Sequence, residues 1–114
     1  MPSGMPWRRY GCASERATVA DVEGAARRLL RALNENQAHD REGAEVKPGE
    51  QEAHDAGLRP GSHLHRAAVW WLLDTGALAP EWDANVRASN ASGAQHRDFA
   101  FKITRGGLEM LRRR

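Results

Sequence analysis

Apolar residues along this chain follow two different rhythms. Val22, Ala25, Ala26, Leu29, Leu30 and Leu33 recur three and four positions apart, which lays one apolar stripe on a helix. That pattern predicts a helix over residues 18–34, with Thr18 and Asp21 as a start signal. Arg27, Arg28 and Arg31 near its end suit the helix dipole. Leu64, Ala67, Ala68, Trp71 and Leu72, extended by Val69 and Leu73, make a second stripe and predict a helix over 62–75. Ser62 is placed to cap it and Gly76 to end it. His63, Arg66, Trp70 and Asp74 fall on the opposite side of that helix. After Leu78 the period drops to two. Trp82, Ala84, Val86 and Ala88 alternate with polar residues, and so do Phe99, Phe101 and Ile103. The turn-forming stretch Ser89 to Gln95 separates them, so a β-hairpin with a long loop is expected.

Shorter elements fill the gaps. Residues 35–47 are polar and mostly acidic and read as a solvated loop, ending in a very short strand near Val46. Pro48 suits a first helical turn, and residues 49–56 make a short helix. Gly57 is placed to end it as a left-handed cap, with Leu58 packing back underneath. Arg59 to Ser62, "RPGS", is a turn. Thr104 starts a last helix with Leu108 and Leu111 facing in. Residues 1–17 lack periodicity and contain Pro2, Gly4, Pro6 and Gly11, so a flexible tail is expected before a single domain over 18–114.

Composition narrows the class. The 114 residues suit one domain, and 40% hydrophobic with 6% aromatic residues allows one modest core. No apolar run approaches the roughly 20 residues of a membrane span. The first residues have no apolar stretch of the kind a signal peptide needs. With Cys12 as the single cysteine, neither an internal disulfide nor a cysteine-pair zinc site is available. An intracellular, cytoplasmic protein is the simplest expectation. The net charge of +2 is unevenly spread: residues 35–57 carry seven acids against two bases, and residues 58–114 carry nine bases against five acids. A basic C-terminal half is able to face nucleic acid. Fifteen of the seventeen bases are arginine and nineteen residues are alanine, a bias that a GC-rich genome produces equally well.

The order of elements resembles a winged helix-turn-helix domain: an α+β fold of three to four helices with a small antiparallel β-hairpin wing. The stretches that carry the resemblance are "EAHDAGLRPGSHLHRAAVWWLLDTGAL" and "FAFKITRGGLEMLRR". Ala53 and Gly57, four apart, match the alanine and glycine of a helix-turn-helix, and Leu58 matches the apolar residue after that glycine. Glu52 stands where the pattern prefers an apolar residue, and Leu64 falls one position late.

The resemblance implies double-stranded DNA as the partner and helix 62–75 as the element entering the major groove. Ser62, His63 and Arg66 are then the candidates for base or phosphate contact, and Arg59 for a phosphate. Arg87 and Arg97 flank the wing loop and are expected on the DNA backbone, together with Lys102. A homodimer is expected, because one module reads few base pairs. Each residue also has a plainer reading. His63, His65 and Arg66 fit the solvated side of an amphipathic helix, and Trp70 fits core cover or a dimer contact. No cofactor, metal or catalytic group is expected, since no His-x3-His pair occurs and Cys12 has no His or Asp beside it. A protein-interaction module on the same scaffold is the competing function.

Overall fold

The computed structural model describes residues 19–81 and 100–113. Their order is α1 (Val19–Leu33), a π-helical turn (Asn34–Ala38), β1 (Glu45–Val46), α2 (Glu50–Asp55), α3 (His63–Asp74), β2 (Leu78–Pro80), β3 (Phe101–Ile103) and α4 (Arg105–Arg112). Among the described residues, four α-helices and one small antiparallel sheet make an α+β arrangement, compatible with a winged helix.

The stripe on α1 does what its period requires. Ala25, Ala26, Leu29, Leu30 and Leu33 are fully buried, and α2, α3, α4 and the π-helical turn all lie against this one helix. From α3, Ala67, Ala68 and Leu72 enter the same core with no exposure. Small residues on both helices let their backbones approach closely, which suits a chain short of large apolar side chains.

The strands run in the order β1-β3-β2, with Val46 opposite Phe101, Leu78 opposite Ile103, and Glu45 and Ala79 both opposite Lys102. Phe101 and Ile103 point into the core and Lys102 points out, the alternation a half-buried strand needs. Pro80 ends an edge strand, where its missing N–H costs no ladder bond. β3 is thus flanked by β1 and by Leu78–Pro80, a strand that precedes the 82–88 alternation and that the sequence did not signal. A proline and a short apolar run hid it. Residues 82–88, the loop 89–95 with Arg87, and Arg97 lie outside the described residues, as do the 1–17 tail and Thr18.

The acidic stretch departs from expectation at its start only. The chain leaves α1 through the π-helical turn, where the His39 N–H donates to the Asn34 carbonyl at 2.7 Å. Mostly exposed turns lead from there to β1, the very short strand expected near Val46. His39 and Asp40 take left-handed backbone, φ 51° and 64°. Asn and Asp tolerate this region because their side chains bond locally. Here the Asn34 amide donates to Asp40 Oδ1 and accepts from the Asp40 N–H, both at 2.8 Å. Gln37 treats Lys47 as a strand neighbour would, accepting its N–H and donating to its carbonyl, each at 2.8 Å. Asn36 bridges to α2, donating to Glu52 Oε2 at 3.1 Å and Asp55 Oδ2 at 2.8 Å. This contact explains Glu52: it is buried at the position that prefers an apolar residue, and its carboxylate has a donor.

The last helix is fastened to the start of β2. Thr104 caps α4, its Oγ1 accepting from the Gly107 N–H at 3.0 Å and donating toward the carbonyls of Gly76 and Ala77. Gly107 sits so close that a Cβ there would stand 2.4 Å from the Ala77 carbonyl oxygen. At Gly106 the same addition meets only ordinary contacts, 3.6 Å or longer.

Two outcomes follow. Gly107→Ala is expected to cost about 1–3 kcal/mol through forced backbone movement. Gly106→Ala is expected to be neutral or to stabilise by up to about 1 kcal/mol through helix propensity. Urea midpoints of the two variants check the contrast. The second concerns Asp55, whose bonds from Asn36 and then Gln51 hold its carboxyl below the usual 3.8. A depressed pKa stabilises the fold above the unfolded value, and that contribution fades as pH falls through the folded one. Asn36→Ala should raise the Asp55 pKa toward 3.8, read from its carboxyl chemical shift against pH. The stability gap to the parent chain should narrow as pH falls below about 4.

Candidate nucleic-acid interface

The junction between α2 and α3 is built from three consecutive backbone devices. Gly57 ends α2 at φ 74°, the Leu58 N–H donates to the Ala53 carbonyl at 2.8 Å, and the Gly57 N–H to the His54 carbonyl at 2.9 Å. These two bonds make a Schellman cap, and Leu58 and Ala53 are both buried beneath it. Arg28 of α1 adds a third bond, Nε to the Ala56 carbonyl at 2.8 Å.

Arg59, Pro60, Gly61 and Ser62 then form a turn closed by the Ser62 N–H to the Arg59 carbonyl at 3.0 Å. Proline in the second place and Gly61 at φ 77° in the third define type II. Ser62 caps α3, its Oγ accepting from the His65 N–H at 3.1 Å.

His65 secures this turn from below. Its Nδ1 accepts the Gly61 N–H at 3.1 Å, so that nitrogen keeps its lone pair and the ring proton sits on Nε2. The side chain is buried at 5% exposure, which corrects its assignment to the solvated side of the helix. The signal was present: His65 lies four residues before Val69 and seven before Leu72, both buried.

Four of the expected residues share one surface. Arg59, Ser62, His63 and Arg66 line an open groove of about 650 Å3 with Gly57, Leu58, Gly61 and Leu64. No acid lines it. Arg59, His63 and Arg66 are exposed, and among the described residues no carboxylate pairs with Arg59 or Arg66. Lys102 is differently placed. It faces out from β3, pairs with Glu81 at 3.4 Å, and stands across from Glu45. Arg87 and Arg97 lie outside the described residues. Trp70 is half-buried against the core, in keeping with its reading as core cover. Asp74 is exposed at the far end of α3.

A second groove went unnoticed in the sequence. Glu23, Arg27 and Arg31 of α1, Met110 and Leu111 of α4, and Arg113 line it. Arg27 bonds Glu23 at 3.1 Å and lies over the Trp71 ring, 5.9 Å from its centroid. The spacing of Glu23, Arg27 and Arg31, four apart on one helix, was the available sign.

Among the described residues, no three His, Cys, Asp or Glu side chains are grouped to hold a metal ion, and no helix is long and apolar enough to cross a membrane. No protein-family model, curated protein or solved structure matches the chain.

The role of His65 is testable. His65→Phe keeps an aromatic ring but removes the acceptor for the Gly61 N–H, a part-buried bond whose loss costs about 0.5–1.5 kcal/mol. Faster hydrogen exchange at Gly61 and Ser62 is expected, with exchange in the middle of α1 changed only as far as global stability falls.

Proposed function

We propose that this chain is a winged-helix domain that binds duplex DNA, with the front of α3 as its reading element. The observation that carries the reading is the acid-free groove at the α2–α3 junction, where Arg59, Ser62, His63 and Arg66 come together. Support also comes from the topology: a helix, a strand, two helices joined by a tight turn, then two strands, in the sheet order β1-β3-β2.

On this reading each residue has a defined task. Arg66, in the first turns of α3, offers a planar fork that matches the O6 and N7 edge of guanine. Arg59 precedes the helix and meets a phosphate, and His63 contributes a ring edge to base or backbone. Ser62 has its oxygen committed to the helix cap, so its task is to start α3 in the right place, with its hydroxyl hydrogen left to donate. Asp74 opposes phosphate and keeps the far end of α3 off the duplex. A dimer would supply the second half-site, and DNA as the partner puts the protein in the cytoplasm as a transcriptional regulator.

One observation favours the alternative, a protein-interaction module without DNA binding. Lys102 is neutralised by Glu81 and faced by Glu45, so the described part of the sheet offers little positive charge.

Titration with generic duplex DNA separates the two. A DNA reader should weaken steeply with salt. Arg66→Ala should cost about 1–3 kcal/mol at a guanine-containing site, and Arg59→Ala should flatten log K against log [salt] by about 0.9 for its lost phosphate contact. Adding Arg87→Ala should flatten it further. Absence of binding at low salt would favour the interaction module.

A further inference from the structure

The groove between α1 and α4 shares no residue with the α2–α3 junction and is unused by the DNA reading. Its chemistry is mixed. Arg27, Arg31 and Arg113 stand around it with one acid, Glu23, already bonded to Arg27. Met110 and Leu111 form an apolar floor that is only partly buried against the core. The space measures about 950 Å3, room for several side chains.

We propose that this groove docks an acidic segment of a partner protein, whose carboxylates meet the arginines and whose apolar side chains cover Met110 and Leu111. Charge complementarity selects the occupant. Arginine forks bind carboxylates in two-point contacts, and an apolar floor strengthens them by excluding water.

The chain's own segments fit less well. Residues 1–18 carry Arg8, Arg9 and Arg16 against Glu15, so like charge opposes them. Residues 82–99 carry two acids and two arginines and bring no net charge. The acidic residues of the 35–57 stretch of a second copy would supply charge: Glu35, Asp40, Glu42, Glu45, Glu50 and Asp55 are exposed. Its apolar residues Ala38, Val46 and Ala53 are fully buried, and the half-buried Ala44 offers only one methyl to Met110 and Leu111. A phosphodiester backbone has the same defect.

The experiment uses the full chain and fluorescence anisotropy with two short labelled peptides. One alternates aspartates with leucines, and the other has serine in place of each leucine. The leucine peptide is expected to bind with a Kd on the order of micromolar, and the serine peptide at least about tenfold more weakly. Arg31→Glu with Arg113→Glu, both at exposed positions, should abolish binding while leaving the circular dichroism spectrum intact.

Equal binding of both peptides, binding that survives the arginine changes, or no binding at low salt would each overturn the proposal. So would displacement of the peptide by duplex DNA, which would put nucleic acid in this groove. Sedimentation supplies the last arm: self-association abolished by the arginine changes would put a second copy there and overturn it too. DNA binding in the same variants is a separate readout, so the two surfaces stand or fall independently.

Discussion

One helix carries an apolar stripe that must be covered along its length, and the rest of the molecule is arranged to cover it. The stripe of Leu29, Leu30 and Leu33 on α1 is fully buried, and each such side chain contributes roughly 1.5–3 kcal/mol when removed from water. No single partner is large enough to bury it. The short helix α2, the alanine-rich face of α3, the C-terminal helix α4 and the π-helical turn each cover part. That requirement brings the α2–α3 junction and the α1–α4 groove into being. Both are seams where elements covering α1 meet or end.

Short elements need fasteners, because isolated helices of six or eight residues are marginal in water. The fasteners here are mostly polar. Asn34 holds Asp40, Gln37 holds the backbone of Lys47, and Asn36 holds Glu52 and Asp55. His65 holds Gly61, and Thr104 joins α4 to the start of β2. Gln37, His65 and Thr104 satisfy backbone groups that a longer helix or wider sheet would have satisfied by itself, and the asparagines supply donors to carboxylates. A mean hydropathy of -0.70 is consistent with a fold held this way.

The same division explains what was legible in the sequence. Helices α1 and α3 stood out because burial imposes a period of three and four on many residues at once. Gly57, Ser62 and Thr104 were readable because capping needs particular residue types. The short strand near Val46 was legible, but the π-helical turn before it was not, because an asparagine bonded to solvent and one bonded within the chain look identical in a one-dimensional string. β2 gave little sign of itself, because three residues with a proline carry too little alternation to mark a strand. His65 reads as solvated by residue type, whereas its position relative to Val69 and Leu72 puts it in the buried stripe. At the candidate interface, Arg59, Ser62, His63 and Arg66 were read as one group because they are close in sequence. The α1–α4 groove was missed because Arg31 and Arg113 lie far apart along the chain and meet only through the fold.

Charge is segregated by the same fold. The acids of 35–57 are the most concentrated negative charge in the chain, and Lys102 stands across from one of them, Glu45. Arg59 follows this stretch within two residues, yet the Schellman cap reverses the chain at Gly57 and the type II turn reverses it again at Gly61. The two reversals put Arg59 beside Arg66 in a groove that no acid lines. Loss of either glycine would strain a left-handed backbone by about 1–2 kcal/mol, a cost small enough for the chain to remain folded. The arginines would then lose their common direction before the core lost its packing. Stability and the placement of charge are therefore separable at this junction: α1 and its leucines hold the fold, and two glycines and one buried histidine set where the positive charge lies.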